Sequence, residues 1–528
     1  MKFKTEPFKH QRDEWEHSKE LAARAIFWEQ GTGKSKLMID TIAHLSLESK
    51  IDAVVVVAPN GVHRNWVEKE IPEHLPVAVA QHTLALTYAT SKASTKYFQR
   101  SLDQLLGHKG LSILTLSYDA VMTKKAKDYL NKFFTGRKVL YILDEAHYIK
   151  NPQAKRTKAI LKSSKFAPFR RILTGTPIAQ GAFDTYSIIK FLDPEYWKVN
   201  GFGTYTEFKH YFGIWQKHRL QSGDKREFEV LVDYRHLDKL QALLLPIASR
   251  LTKDDVLDLP PKLYQKRTFE LSAEQARLYK EIKEDFVAWV SATDCDKCGG
   301  TGETVDGDYV YACDCAAQPV VADLAITRLL RLQQITGGYL PTDDEDEPVH
   351  VIGGTNKRIE ALMEVIEQTP HKVIVWARFQ LDIDLIMAAL DGAGIKAVRY
   401  DGKTSDNERA LAKEQFQGER AVFHNGQVIG KEAVPEEEQV KVFVGNPAVG
   451  ATGLTLTAAR TVVYYSNSFK LVDRLQSEDR AHRIGQTNSV LYVDIIAEDT
   501  VDDHIVSALR DKLNIANQIT GDDIKEWL

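Results

Sequence analysis

The stretch Ala23-Arg24-Ala25-Ile26-Phe27-Trp28-Glu29-Gln30-Gly31-Thr32-Gly33-Lys34-Ser35, continued by KLMIDTIAHL at 36–45, decides the fold. It reads as an apolar strand, a glycine-rich turn and an apolar helix. That order points backbone N–H groups at a phosphate lying on a helix N-terminus. Gly31, Thr32 and Gly33 are expected to form the cradle, Lys34 to reach the β- and γ-phosphates of ATP, and Ser35 to ligate Mg2+. Only GTGKS is present: Glu29 or a neighbour stands where the commonest phosphate loop has its first glycine.

Outward from this turn, short apolar runs alternate with helical stretches. The first half has AVVVVAP (53–59), LSILTLSY (111–118), KVLYILDE (138–145) and RRILTGT (170–176). The second half has KVIVWAR (372–378), KAVRYDG (396–402), VKVFVGN (440–446), TVVYYS (461–466) and VLYVDIIA (490–497). Apolarity that is continuous rather than alternating suits strands covered on both faces, and the spacing leaves room for crossover helices. The fold class is therefore α/β, with two tandem lobes built on parallel sheets. Residues 1–194 form lobe one and 261–528 lobe two, with 195–260, rich in aromatic and charged residues, as a helical protrusion and linker. Lobe two is expected to carry a zinc-binding insertion at about 291–320 and a polar loop insertion at about 417–439. The run DDEDE at 343–347 reads as a solvated acidic loop, and 501–528 as a helix returning onto a lobe.

The strand KVLYIL runs straight into Asp144-Glu145-Ala146-His147. Carboxylates at a strand's C-terminal end lie at the ligand-binding edge of such a sheet. Asp144 is placed to hold Mg2+, and Glu145 to orient and deprotonate the attacking water.

The 528 residues exceed one ordinary domain, and 43% apolar with 27% charged residues is globular composition. No apolar run suffices to span a bilayer, and the polar start MKFKTEPFKHQRDEWEH is not a secretory signal. The expectation is a cytoplasmic protein with no membrane partner, nucleoid-associated if bacterial or viral. A net charge of −4 gives no global sign of a polyanionic partner. Locally, however, Lys150, Lys155, Arg156, Lys158, Lys162, Lys165, Arg170 and Arg171 fall in one stretch with no acidic residue. That run is either a solvated helix face or a surface facing DNA.

Further motifs follow in order. They are Ala58-Pro59 with Asn65-Trp66, Ser117-Tyr118, DEAH with Tyr148-Ile149-Lys150-Asn151, Leu173-Thr174-Gly175-Thr176-Pro177 and YSIIKFLDP (186–194). Arg250-Leu-Thr-Lys253-Asp-Asp-Val256 and Leu259-Pro260-Pro261-Lys262 come next. The second lobe adds Tyr400-Asp401-Gly402, Gly450-Ala-Thr-Gly453-Leu and QSEDRAHRIGQ (476–486). From about residue 8 to 505 the chain resembles the Swi/Snf family of superfamily-two ATPases. The resemblance implies that Gln11 reads adenine and that Gly453 and Gln476 belong to the nucleotide site. It makes Arg480 and Arg483 arginine fingers, their three-residue spacing placing both on one helix face, and His147 a coupler. It implies nucleic-acid contacts at Asn65, Trp66, Lys150, Asn151, Thr176 and Thr452. A catalytic site shared by two lobes would convert each ATP cycle into a step along DNA.

The implied activity is an ATP-dependent translocase on duplex or branched DNA, acting on forks, junctions or protein–DNA complexes in repair or recombination. A strand-separating helicase, an RNA-directed ATPase and an inactive scaffold are the alternatives. GTGKS in place of GLGKT, Thr455 in GATGLTL and the small 195–250 segment depart from the family and favour a compact prokaryotic or viral relative over a nucleosome remodeller.

All four cysteines fall together as Cys295-x2-Cys298 and Cys313-x-Cys315. A CxxC knuckle followed by glycine reads as a structural Zn2+ site with four protein ligands. Paired disulfides, disfavoured in a reducing cytosol, and four separate thiols are the competing readings. The module is expected to touch DNA or a protein partner.

Overall fold

The computed structural model describes residues 1–219, 227–284, 287–290, 303–306, 309–312, 318–321, 325–341, 349–424, 427–450 and 454–522. It divides into two units. The first holds Met1–Leu259, Lys470–Val472 and the described part of Asp511–Glu526; the second holds Pro260–Phe469 and Asp473–Arg510.

The first unit is built on seven parallel strands: β1 (Ala23–Trp28), β2 (Ala53–Ala58), β3 (Thr83–Thr87), β4 (Leu111–Ser117), β5 (Val139–Asp144), β6 (Phe169–Leu173) and β9 (Ala248–Leu251). They run in the order β3-β4-β2-β5-β6-β1-β9. The run AVVVVA is buried at every position because both faces of β2 are covered. Val55 and Val57 join Leu114, Leu116, Tyr141 and Leu143 on one face, whereas Val54 and Val56 join Ile113, Leu140 and Ile142 on the other. Strand alternation thus distributes one apolar run between two helical layers. Helices α1 (Lys9–Ser18) and α2 (Lys34–Leu47) flank β1 in sequence.

The expected helical protrusion at 195–250 is not what forms. Helices Tyr196–Val199, Tyr205–Phe212 and Leu237–Leu244 surround an antiparallel hairpin of β7 (Gly213–Arg219) and β8 (Glu227–Tyr234), and the chain then returns to the sheet as β9. Trp197, Phe202, Phe208, Phe212, Leu240 and Leu244 are buried in the first unit's core. The aromatic richness of this segment therefore serves packing.

The second unit repeats the plan with six parallel strands: β10 (Lys262–Phe269), β11 (Lys372–Trp376), β12 (Ala397–Tyr400), β13 (Val442–Gly445), β14 (Ala459–Tyr464) and β15 (Val490–Ala497). Their order is β10-β15-β14-β11-β13-β12. Pro260 and Pro261 have no N–H to donate, so the ladder starts at Lys262. An antiparallel hairpin, Glu419–His424 with Gln427–Ala433, fills the polar stretch between β12 and β13. No helix among the described residues is long and apolar enough to cross a membrane.

Candidate functional site

In the first sheet β6 lies between β1 and β5, so three adjacent strands bring their C-terminal ends to one edge. The loop after β1 and the start of α2 carry Glu29–Ser35, the end of β5 and the turn after it carry Asp144-Glu145, and the loop after β6 carries Thr174-Gly175-Thr176. This is the edge at which parallel α/β sheets bind ligands.

Gly31 and Gly33 hold φ of +84° and +85°, a region that disfavours any L side chain. Gly33 caps α2, and a Cβ there would stand 1.9 Å from the Gln11 amide nitrogen. Gln11 is buried on this loop: its Oε1 accepts the Phe8 N–H at 2.8 Å and its Nε2 donates to the Gly33 carbonyl at 3.2 Å. Thr32 Oγ1 donates to Glu29 O at 2.8 Å. Lys34 Nζ folds onto the carbonyls of Trp28 and Glu29 at 2.9 and 3.0 Å. Ser35 hydrogen-bonds Glu70, whose carboxyl is pushed above its usual range by burial.

Asp144 and Glu145 are adjacent acids with opposite environments. Asp144 Oδ2 accepts the Trp66 indole N–H at 3.0 Å, and its backbone carbonyl accepts the Tyr118 hydroxyl at 2.9 Å. Burial, then the Glu145 charge, pushes the Asp144 carboxyl up to about 6. Glu145 adopts a left-handed backbone at φ +54°, strain of the kind that collects at functional turns. Gln30 Nε2 donates to its Oε1 at 3.1 Å, Thr174 Oγ1 to its Oε2 at 3.4 Å, and His147 Nδ1 stands 3.3 Å from Oε2. Burial alone would raise the Glu145 carboxyl; His147, Lys34 and Gln30 overcome it and hold it down to about 2. Such a split between neighbouring acids separates their chemical tasks. The β6 loop closes the arrangement, since a Cβ on Gly175 would meet Gln30 N and Trp28 O, both at 3.3 Å.

Gln30, Thr174 and Glu70 escaped the sequence reading. Gln30 sits inside the phosphate-loop motif, but its partner is 115 residues away.

The expected nucleic-acid residues separate. Asn65 and Asn151 are exposed, while Lys150 and Thr176 are half-buried. Trp66 is 1% exposed and spends its only polar atom on Asp144, so in this structure its side chain supports the acidic pair. The basic run separates too. Arg171, 0% exposed, donates to the carbonyls of Ser18, Leu21, Ala22 and Arg170, a structural staple at β6. Arg156 pairs with Asp119 and lies over the Tyr148 ring. On helix α3 (Lys155–Ser164), by contrast, Lys155, Lys158 and Lys162, with Lys165 just beyond, are all exposed. Their spacing of three, four and three residues puts them on one face.

Helix α4 (Leu471–Ala481), whose residues from Asp473 onward belong to the second unit, carries Gln476 and Arg480, but Arg483 lies past its end. One helix face therefore does not hold both arginines. They converge through a carbonyl instead: Arg480 Nη1 and Arg483 Nη1 donate to Leu454 O at 3.1 and 3.0 Å. Arg480 Nε also donates to the Gln476 carbonyl at 2.9 Å. Beneath them is a buried, charge-balanced cluster. Arg474 donates to Glu478 at 2.8 Å and to Asp494 at 2.5 and 3.0 Å, while Lys262 and Tyr264 donate to the other Glu478 oxygen at 3.0 and 2.9 Å.

Thr452 and Gly453 lie outside the described residues, as do Cys295, Cys298, Cys313, Cys315 and the run 343–347. Among the described residues no cluster of His, Cys, Asp and Glu is arranged to hold a metal by itself.

The SNF2-related domain family matches residues 17–305, and the helicase conserved C-terminal domain matches 357–485. Chromodomain-helicase-DNA-binding protein 1-like of Mus musculus is 25% identical over 503 residues, covering 93% of this chain and 47% of its own length. The SWI/SNF-related matrix-associated actin-dependent regulator of chromatin subfamily A containing DEAD/H box 1 of Xenopus tropicalis is 22% identical over 525 residues, 94% of this chain and 48% of its own. The chain thus spans about half the length of these curated relatives. A solved Sulfolobus solfataricus SWI2/SNF2 ATPase core in complex with dsDNA aligns over 98% of this chain and 94% of its own, at 21% identity and TM-score 0.39. The SNF2-related match alone takes in more than half of the residues, and the chain belongs to the SNF2-related family of ATPases.

Proposed function

We propose that the chain hydrolyses ATP and uses the cycle to move along duplex DNA. The observation that carries the first half is the convergence of the β1, β5 and β6 ends, which sets a phosphate loop beside two differently tuned acids. Gly31 and Gly33 open the loop for backbone approach to phosphates, and Lys34, parked on two carbonyls of its own loop, exchanges them for phosphate oxygens. Asp144 and Ser35 would hold Mg2+. Burial and the neighbouring Glu145 charge raise the Asp144 carboxyl to about 6 despite Lys34, an environment that a divalent cation would relieve. A magnesium ion bound there would supply charge that neutralises the phosphates. Glu145, ionised at every working pH, accepts a hydrogen bond from the attacking water and aligns it; held near about 2, it is a weak base whose first task is orientation. Arg480 and Arg483 supply positive charge to the transferring phosphate.

Duplex DNA as the track rests on the family, on relatives whose names include DNA binding and chromatin, and on the exposed lysine face of α3. Such contacts go to phosphates and carry no sequence preference. Cys295, Cys298, Cys313 and Cys315 form a structural Zn2+ module in this reading, and bound zinc near zero in the purified protein would remove it. Comparing ATPase rates with no nucleic acid, single-stranded DNA, duplex DNA and duplex RNA tests the track. The reading predicts the largest stimulation by duplex DNA. Stimulation by single strands alone, or by RNA alone, would contradict it.

A further inference from the structure

The root of the phosphate loop is held from outside the loop. Glu29, its first residue, donates its N–H to Leu251 O at 3.0 Å and accepts the Lys253 N–H on Oε2 at 2.9 Å. Between those two points Arg250 donates Nη1 to Phe27 O at 2.7 Å and sets Nη2 3.6 Å from Glu29 Oε1. The other edge of the guanidinium forks onto Asp522, with Nε 3.0 Å from both carboxylate oxygens and Nη2 2.5 Å from Oδ2.

Asp522 is aimed by a built helix stop. Helix α5 (Val501–Thr520) ends at Gly521 with φ +80°, and both Gly521 N–H and Asp522 N–H return to the Asn517 carbonyl, at 2.8 and 3.0 Å. A Cβ on Gly521 would come within 2.3 Å of the Gln241 amide, so glycine is required there for space as well as for φ. The preceding Ile515, Ala516 and Ile519 pack into the first unit's core, which fixes the turn against the sheet.

Arg250 therefore stands between two carboxylates, one in the phosphate loop and one after α5. A bidentate arginine–carboxylate fork is both stronger and more directional than a single charged contact. Removing the Asp522 charge leaves Glu29 as the guanidinium's acidic partner among these contacts and draws it toward the loop. The Glu29 carbonyl that would shift is the one on which Lys34 rests.

We infer that Arg250 and Asp522 are positioning residues for the phosphate loop, and that docking of residues 511–522 is coupled to nucleotide binding there. The inference rests on the loop's being a nucleoside-triphosphate site. Coupling of this kind is reciprocal: a docked segment favours nucleotide, and nucleotide favours the docked segment.

The test uses the full chain as wild type, Asp522→Asn and Asp522→Glu. Affinity for a fluorescent ATP analogue, KM and kcat for ATP, and amide hydrogen exchange over 511–522 with and without Mg-ATP are measured. Nucleotide is expected to slow exchange over 511–522 in the wild type. Asp522→Asn should weaken analogue binding and raise KM by about fivefold, keep kcat within about twofold and lose that protection. Asp522→Glu should restore most of both. Unchanged affinity and protection in Asp522→Asn overturns the inference, as does a lowered melting temperature with KM unaltered, the mark of a merely structural pair. A wild type that binds no nucleotide overturns the functional reading as well, and so separates the two failures.

Discussion

At Asp144 the chain buries a carboxyl and gives its side chain one indole N–H as a partner, Trp66 at 3.0 Å. That pairing was illegible in the sequence, where Trp66 resembled a nucleic-acid contact. The two residues are 78 positions apart, and only the pairing of β2 with β5 in the sheet brings them together. Trp66→Phe keeps an aromatic side chain, though a smaller one, and removes the donor. It should lower stability by about 1–2 kcal/mol, read by denaturant unfolding, and leave DNA affinity unchanged. Loss of DNA affinity with full stability would restore the contact role. Glu145→Gln tests the neighbouring acid. It should retain nucleotide affinity and lose turnover by about a hundred- to ten-thousandfold, because an amide keeps one acceptor oxygen but has neither the charge to hold the water in line nor the capacity to take its proton. Near-normal turnover would take Glu145 out of the mechanism. Lys34, Asp144 and Glu145 were legible because a glycine-rich turn and an acidic pair at the ends of readable strands carry their own signal, whereas Gln30 and Thr174 gain meaning only through Glu145, which is distant in sequence.

At the scale of elements, a helix is a carrier whose cargo depends on what fixes it. Helix α4 is fixed by Arg474, Glu478 and Asp494, all charged and buried inside the second unit, and by the half-buried Lys262. Replacing one partner leaves an uncompensated buried charge, so Glu478→Gln should destabilise the second unit by about 3–5 kcal/mol. The pair also sets an acid limit. Burial opposes ionisation of Glu478, but Lys262 and Arg474 overcome it and hold the carboxyl down to about 2. A depressed acid stabilises fully above its unfolded value of about 4.3 and loses that contribution as the pH falls through the folded value. Stability should therefore drop between about pH 4 and pH 2, and Glu478→Gln should flatten that drop in acid unfolding curves. Helix α3 carries a different cargo. Changing Lys155, Lys158, Lys162 and Lys165 together to glutamine should weaken duplex binding and shallow its salt dependence by about 0.9 per lost phosphate contact, with DNA-free ATPase unaltered. An unchanged salt slope would return this face to plain solvation. The sequence showed the basic run but not its division, since Arg171 differs from its neighbours only in facing the carbonyls around Ala22.

For the whole molecule, two parallel sheets were readable because runs such as AVVVVA and KVIVW are apolar at consecutive positions, which only strands covered on both faces require. The 195–250 segment was misread because its aromatics lack a clean period; packing against the first unit's core, not helical periodicity, selects them. The central claim joins ATP turnover to motion along duplex DNA. Displacement of a triplex-forming strand from a duplex tests it most directly, because it reports movement without requiring the duplex to be unwound. The account predicts displacement by the wild-type chain with Mg-ATP, none with a non-hydrolysable analogue and none with Glu145→Gln. A wild-type chain whose ATPase is stimulated by duplex DNA, yet which leaves the triplex strand in place, would contradict it.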